Sequence, residues 1–114
     1  MEVIRWDTPS KLIILRHRST LEPIDLTGST VYFTVRPKNT MSDEDDNSAI
    51  IQKIITNHTD PEAGQTTIEL DVEDTSHPIG NYKYDIQIKW SNWTIESIKP
   101  QVFTILNDVT KDYE

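Results

Sequence analysis

The stretch GNYKYDIQIKWSNWTIE, residues 80–96, decides the fold. In its first part every second residue is large and apolar, and the residues between them are polar or charged. The apolar positions are Tyr82, Tyr84, Ile86, Ile88 and Trp90. A two-residue period is typical of a β-strand, whose side chains alternate between the two faces of a sheet. The stretch therefore predicts a strand with one buried face, and it raises the question of whether its aromatic residues form a core or a ligand platform.

The rest of the chain repeats this pattern in short runs separated by Gly, Pro, Asn and Asp. Further strands are predicted over 11–20, 29–38, 48–56, 66–72, 93–99 and 101–106, and no segment has the 3.6-residue apolar period of a helix. Seven or eight mostly antiparallel strands in one all-β domain, residues 1–114, predict a β-sandwich or a small barrel. The chain has three glycines, too few for the bends of a barrel, so we favour the sandwich.

Composition excludes several classes of function. The net charge of −8 argues against nonspecific nucleic-acid binding, which needs a basic face. No apolar run is long enough for a membrane span, no signal peptide is recognisable at the N-terminus, and no cysteine is present. We therefore expect a protein made in a cytoplasm, not secreted, with no membrane contact. The apolar fraction of 35% is low and predicts a thin core or further burial against partners.

The segment DTSHPIGNYKYD, residues 74–85, resembles the corner of immunoglobulin-like domains. In that corner a tyrosine after a Gly-x step returns its hydroxyl to the backbone a few residues upstream. Gly80 and Tyr82 have this spacing, and Tyr84 follows two residues later. We therefore expect Gly80, Tyr82 and Tyr84 to have a structural role, with one face of the strand buried.

The two tryptophans Trp90 and Trp93 leave two interpretations open. If Ser91 and Asn92 form a two-residue turn, the rings face each other and stabilise the hairpin. A longer loop would place Trp93 elsewhere, exposed at the tip, where it could stack on a sugar. Trp90 continues the buried phase of its strand, so Trp93 is the candidate ligand contact of a carbohydrate-binding module.

Neither a catalytic site nor a metal or cofactor site is predicted. The acidic loop SDEDDNS, residues 42–48, begins like a calcium loop, but Ser48 replaces its glycine and Ile54 its last carboxylate. The three histidines, His17, His58 and His77, have no metal-ligand spacing. No G-x-S-x-G nucleophile motif occurs, so an enzyme is not expected.

The landmarks DLTG (25–28), GNYKYDI (80–86) and DVT (108–110) follow one another in an order that resembles a family of immunoglobulin-like modules in bacteriophage virion proteins. The best-known setting of that family is the N-terminal domain of baseplate upper proteins. The resemblance implies a structural protein of a virion, in the tail, baseplate or capsid, with sister copies and other virion proteins as partners. It implies no catalytic or ligand residues. Baseplate upper proteins carry more chain after the module, and the acidic insert at 42–47 is longer than usual.

The ends of the chain are the predicted contact segments. Residues 1–9 contain Val3, Ile4 and Trp6, which none of the predicted core strands needs, so this segment is a candidate contact arm. Residues 107–114 form a polar C-terminal tail.

Overall fold

The structure is a computed structural model that describes residues 1–17, 19–37 and 49–107. Within these ranges it has seven strands, one short α-helix and one 3-10 helix. The strands are β1 (Glu2–Ile4), β2 (Ser10–Ile14), β3 (Ser29–Pro37), β4 (Ile51–Ile55), β5 (Gln65–Glu69), β6 (Gly80–Trp90) and β7 (Ile95–Leu106). The 3-10 helix is Pro61–Ala63 and α1 is Val72–Thr75. The all-β prediction is confirmed. The acidic loop 42–48 and the tail beyond Asn107 lie outside the described residues.

The strands form two sheets. The larger has the order β1-β7-β6-β3-β4, and the smaller consists of β2 and β5. All pairs are antiparallel except β1 with β7, which is parallel. The larger sheet therefore has β4 at one edge and the short β1 at the other.

The pairing of β3 with β6 forms the centre of the larger sheet. Nine residues of β3 pair without interruption, from Ser29 opposite Trp90 to Pro37 opposite Tyr82. The alternation places Val31, Phe33 and Val35 on the core face. Their partners on β6 are Ile88, Ile86 and Tyr84, which share that face. On the other face Arg36 is also buried and forms an ion pair with Asp85 at 3.1 Å.

β7 runs as one strand from Ile95 to Leu106, where the sequence predicts two strands separated at Pro100. The pairing with β6 shifts between Tyr84, opposite Gln101, and Ile86, opposite Ile98. Two residues, 99 and 100, therefore stand opposite Asp85 alone, which is a β-bulge. Proline has no N–H to donate to a regular ladder, but at a bulge the ladder is interrupted, so a proline is tolerated there. Pro100 therefore bends the strand without ending it.

The core lies between the two sheets, and the connections to the smaller sheet contribute to it. Leu15, Ile24 and Leu26 are all buried, although none lies in a strand. The Leu15 N–H donates to the Gly64 carbonyl at 2.8 Å, and the Ile24 N–H donates to the Leu15 carbonyl at 2.9 Å. The first bond extends the pairing of β2 with β5, and the second holds Ile24 beside Leu15, so that both side chains join the core.

The short helix α1 corrects the prediction of a chain without helices. Asp71 caps it, because its carboxylate accepts from the Asp74 N–H and the Asp74 carboxylate accepts from the Asp71 N–H, both at 2.9 Å. The hydrogen bond from the Asp74 N–H lowers the pKa of Asp71. Val72, the last residue of the predicted strand 66–72, lies in this helix and is about half exposed. The predicted strand 66–72 therefore ends earlier, at Glu69.

Gly64 and Gly28 provide a matched test of this packing. Both have left-handed backbone, with φ of +70° and +73°. A Cβ on Gly64 would collide with the Leu15 carbonyl and lie 3.0 Å from the Ile24 carbonyl, whereas a Cβ on Gly28 meets nothing within 4 Å. We expect Gly28→Ala to lower the free energy of unfolding by about 1 kcal/mol. Gly64→Ala should lower it by about 3 kcal/mol or more. Urea denaturation of both variants measures the difference, and equal losses would contradict the close approach at Gly64.

Candidate functional site

The hairpin between β6 and β7 places the two tryptophans differently from the opposed pair of a two-residue turn. The Trp90 carbonyl accepts from the Trp93 N–H at 3.0 Å, and the Trp90 N–H donates to the Thr94 carbonyl at 2.9 Å. The loop thus has three residues, Ser91, Asn92 and Trp93. In hairpin loops of this length the last residue has a left-handed backbone conformation. Trp93 has φ of +69°, in a position that favours glycine. The rings are therefore not partners across the hairpin.

The two rings have different surroundings. Trp90 is half-buried against the core, and its indole N–H donates to the Asp25 carbonyl at 3.2 Å. Trp93 is 75% exposed. The Lys89 ammonium lies 4.0 Å from the centre of the Trp93 ring, a cation–π contact that holds the indole in one orientation. Trp90 therefore serves the fold, as its phase predicts, and Trp93 is presented to solvent.

An open groove of about 290 Å³ lies beside Trp93, on the face of the larger sheet away from the core. We call it the Trp93 groove. It is lined by Gly28, Thr30, Tyr32, Lys89, Trp90, Ser91 and Trp93, so that two hydroxyl-bearing residues of β3 and one lysine of β6 lie beside the exposed indole. None of the described lining residues carries a carboxylate. The nearby Asp25 carboxylate accepts from the Thr27 hydroxyl at 2.6 Å and from its N–H at 3.0 Å, and these bonds lower the pKa of Asp25.

The corner at Gly80 has the geometry expected from its sequence. The Tyr82 hydroxyl donates to the Pro78 carbonyl at 2.6 Å, four residues upstream. Gly80 begins the strand with φ of +150°, a backbone conformation that residues with a side chain rarely adopt. Burial raises the pKa of Tyr82, partly opposed by the positive charge of Arg5. The hydroxyl therefore stays a donor at neutral pH, and the corner joins the segment after α1 to the start of β6.

Tyr84 contributes to the core rather than to a site. Its ring lies 5.4 Å from that of Phe33 and 6.5 Å from that of Phe103. Burial raises the pKa of its hydroxyl, which donates to the Gln101 side chain at 3.3 Å. These contacts explain why the aromatic residues of β6 stabilise the fold.

The N-terminal segment, the candidate contact arm, is partly paired with the larger sheet. β1 pairs with the end of β7, and Val3, opposite Ile105, is buried in the core, so it is unavailable to a partner. Ile4 is half-buried. Trp6 is about half exposed, with φ of +70° and the Arg5 guanidinium 4.6 Å from its ring. Of the three predicted contact residues, Trp6 presents the largest exposed surface.

A second groove, of about 560 Å³, lies beside the edge strand β4. It is lined by the end of β4, by the start of the β4–β5 connection at residues 56–59, and by Thr67 and Glu69 of β5. The His58 Nε2–H donates to the Ser29 carbonyl at 2.9 Å, and its Nδ1 is hydrogen-bonded to the Thr66 hydroxyl at 3.0 Å. His58 thus ties the larger sheet to the smaller one and has no free nitrogen for chemistry.

Comparison with known proteins finds no family model that matches the chain and no curated protein with significant similarity. Among the described residues no group of three or more His, Cys, Asp or Glu side chains could hold a metal ion. No helix in the described ranges is long and apolar enough to cross a membrane.

The Tyr82 hydroxyl can be tested by deletion. We expect Tyr82→Phe to lower the free energy of unfolding by about 1 kcal/mol, because the corner loses a short hydrogen bond. Tyr84→Phe is the control: its hydroxyl bond to Gln101 is longer, so its loss should be about half as large or less. Urea denaturation measures both. A Tyr82→Phe variant as stable as the wild type would contradict the role of the corner.

Proposed function

We propose that this chain is a non-enzymatic structural protein of a bacteriophage virion. It is a subunit of the tail, baseplate or capsid and assembles through contacts with sister copies and other virion proteins. In this proposal the two sheets form an immunoglobulin-like β-sandwich. The resemblance of the sequence to phage virion modules supports the setting, and the bond of Tyr82 to Pro78 supports the immunoglobulin-like corner.

The observation that carries the assembly proposal is the edge strand β4. Within the described residues it pairs with β3 alone, so its other side has no strand partner. Its register with β3 is continuous from Ile55, opposite Val31, to Ile51, opposite Val35. Ile54 lies on the face away from the core and is 67% exposed. A straight, apolar edge of this kind pairs readily with a strand of another chain.

The usual protections of an edge are weak in β4. It contains no proline and no bulge. Its one lysine, Lys53, forms an ion pair with Asp74, which neutralises the charge that could protect the edge. The uncovered part of β7, in contrast, contains Glu96 and the bulge at Pro100. β7 is also covered at its end by β1. The two edges therefore differ, and β4 is the better site for assembly.

The residues of β4 favour a particular pairing with a sister copy. A two-fold axis perpendicular to the sheet pairs residues of the same face in antiparallel order. Pairing about Lys53 would place two lysines opposite each other, which is unfavourable. Pairing about Ile54 places its exposed side chain against its own copy and Lys53 opposite Ile55. We therefore propose the Ile54-centred register, which joins two five-stranded sheets into one.

Light scattering of the purified chain tests this proposal. The wild type should have a mass above that of one chain, and added salt should strengthen association because it screens repulsion between copies of charge −8. Ile54→Lys should raise the dissociation constant about tenfold or more, since it places two charges at the axis.

Leu12→Lys is the control. Leu12 is a similarly exposed residue on β2, at 56%, so this variant should associate as the wild type does. A wild type that stays monomeric at every concentration, or equal effects of both substitutions, would contradict assembly through β4.

A further inference from the structure

Trp93 is in a conformation that the fold does not require of a tryptophan. A left-handed backbone costs a residue other than glycine about 1 kcal/mol, and Trp93 has φ of +69° with 75% of its surface exposed. It is not among the hydrophobic residues that pack against the core. Glycine would fit this turn better and leave the fold more stable. The indole is therefore best explained by a contact outside the chain.

The ring is held ready for such a contact. The Lys89 ammonium, 4.0 Å from the ring centre, occupies one face and fixes its orientation. Since most of the residue is exposed, the opposite face is open to solvent. A fixed ring loses little entropy when a ligand stacks on it.

The Trp93 groove supplies polar groups next to this ring. The hydroxyls of Thr30, Tyr32 and Ser91 and the Lys89 ammonium line it. An apolar ligand would leave these groups without hydrogen bonds, and a cation would meet Lys89. The volume of about 290 Å³ is near the lower limit of small-molecule pockets, roughly 300 Å³.

A sugar ring combines the two properties that this surface selects. One side of a pyranose presents C–H groups to an aromatic face, and its hydroxyls donate to and accept from hydroxyl and ammonium groups. We infer that the Trp93 groove binds a neutral hexopyranose unit of a glycan, stacked on the face of Trp93 opposite Lys89 and hydrogen-bonded to hydroxyl groups along Thr30 and Tyr32. This site does not include β4, although Tyr32 is the cross-strand neighbour of Ile54 on the same sheet face.

The experiment follows the three indole N–H resonances of the chain by NMR during titration with methyl β-D-glucopyranoside, methyl β-D-galactopyranoside and N-acetyl-D-glucosamine. At least one sugar should shift the Trp93 resonance saturably, with a dissociation constant on the order of 1 mM. The Trp6 resonance should not move. No saturable shift with any of the three sugars to about 50 mM would overturn the inference.

Two variants separate binding from folding. Trp93→Gly should unfold at a higher urea concentration, because it relieves the strained turn, and should bind the sugar at least tenfold more weakly, as followed in wild type and variant by the backbone amide resonances of Thr30 and Tyr32. Trp6→Gly is the matched control: it also replaces an exposed tryptophan with positive φ beside a cation, but at a site outside the groove. It should bind the sugar as the wild type does.

Light scattering of the same variants distinguishes a protein contact from a sugar contact. If Trp93→Gly dissociates the assembled chain and leaves the sugar titration unchanged, Trp93 contacts protein and the sugar inference is wrong. Loss of association in Ile54→Lys with normal sugar binding would leave the Trp93 groove intact as a separate site.

Discussion

The pairing of β3 with β6 is the interaction on which the rest of the structure depends. Their shared face holds Val31, Phe33, Val35, Ile86 and Ile88, all buried. The other buried apolar residues belong to the same core cluster, including Leu15 and Ile24 in the connections. Because both central strands are fully paired, additional strands can join only at the outside. The same constraint that builds the core therefore leaves β4 as an edge.

The chain uses its few glycines where the backbone requires them. Gly28, Gly64 and Gly80 all have positive φ. Among the described residues three further positions have left-handed backbone, and each holds a large apolar side chain: Trp6, Leu21 and Trp93. All three are about half exposed or more. The conformational cost at these positions is not repaid by burial of the side chain. An exposed indole at a turn therefore says more about a contact outside the chain than the buried aromatic residues of β6 do.

Much of the fold is predictable from the sequence, because local alternation determines β3 and β6 and the Gly-x-Tyr spacing places the Tyr82 hydroxyl. Other features depend on contacts distant in sequence. Nothing near Val3 indicates that β1 pairs in parallel with the end of β7, so the segment looks like a free arm. Pro100 suggests a strand end because the bulge depends on the partner strand. The capping box of Asp71 and Asp74 is a local signal for a helix, but the strand-like alternation of residues 66–72 conceals it.

The site is less predictable than the fold. Trp93 was a candidate from its position at a hairpin tip, but its left-handed backbone and the ring contact with Lys89 follow from a turn type that Ser-Asn does not specify. Tyr32 and Thr30 lie near Trp93 because β3 pairs with β6. The exposure of Ile54 has a different cause: β4 is the last strand of the sheet. Residues on one sheet face become neighbours through register, which the sequence of one strand cannot supply.

The central claim is that this chain is a structural part of a phage particle. Quantitative mass spectrometry of particles purified from the host that produces the chain tests it most directly. If the chain is such a part, its peptides are present in the particles at a fixed ratio to the other structural proteins across preparations. A chain that is present in the infected cells but absent from the purified particles would contradict it.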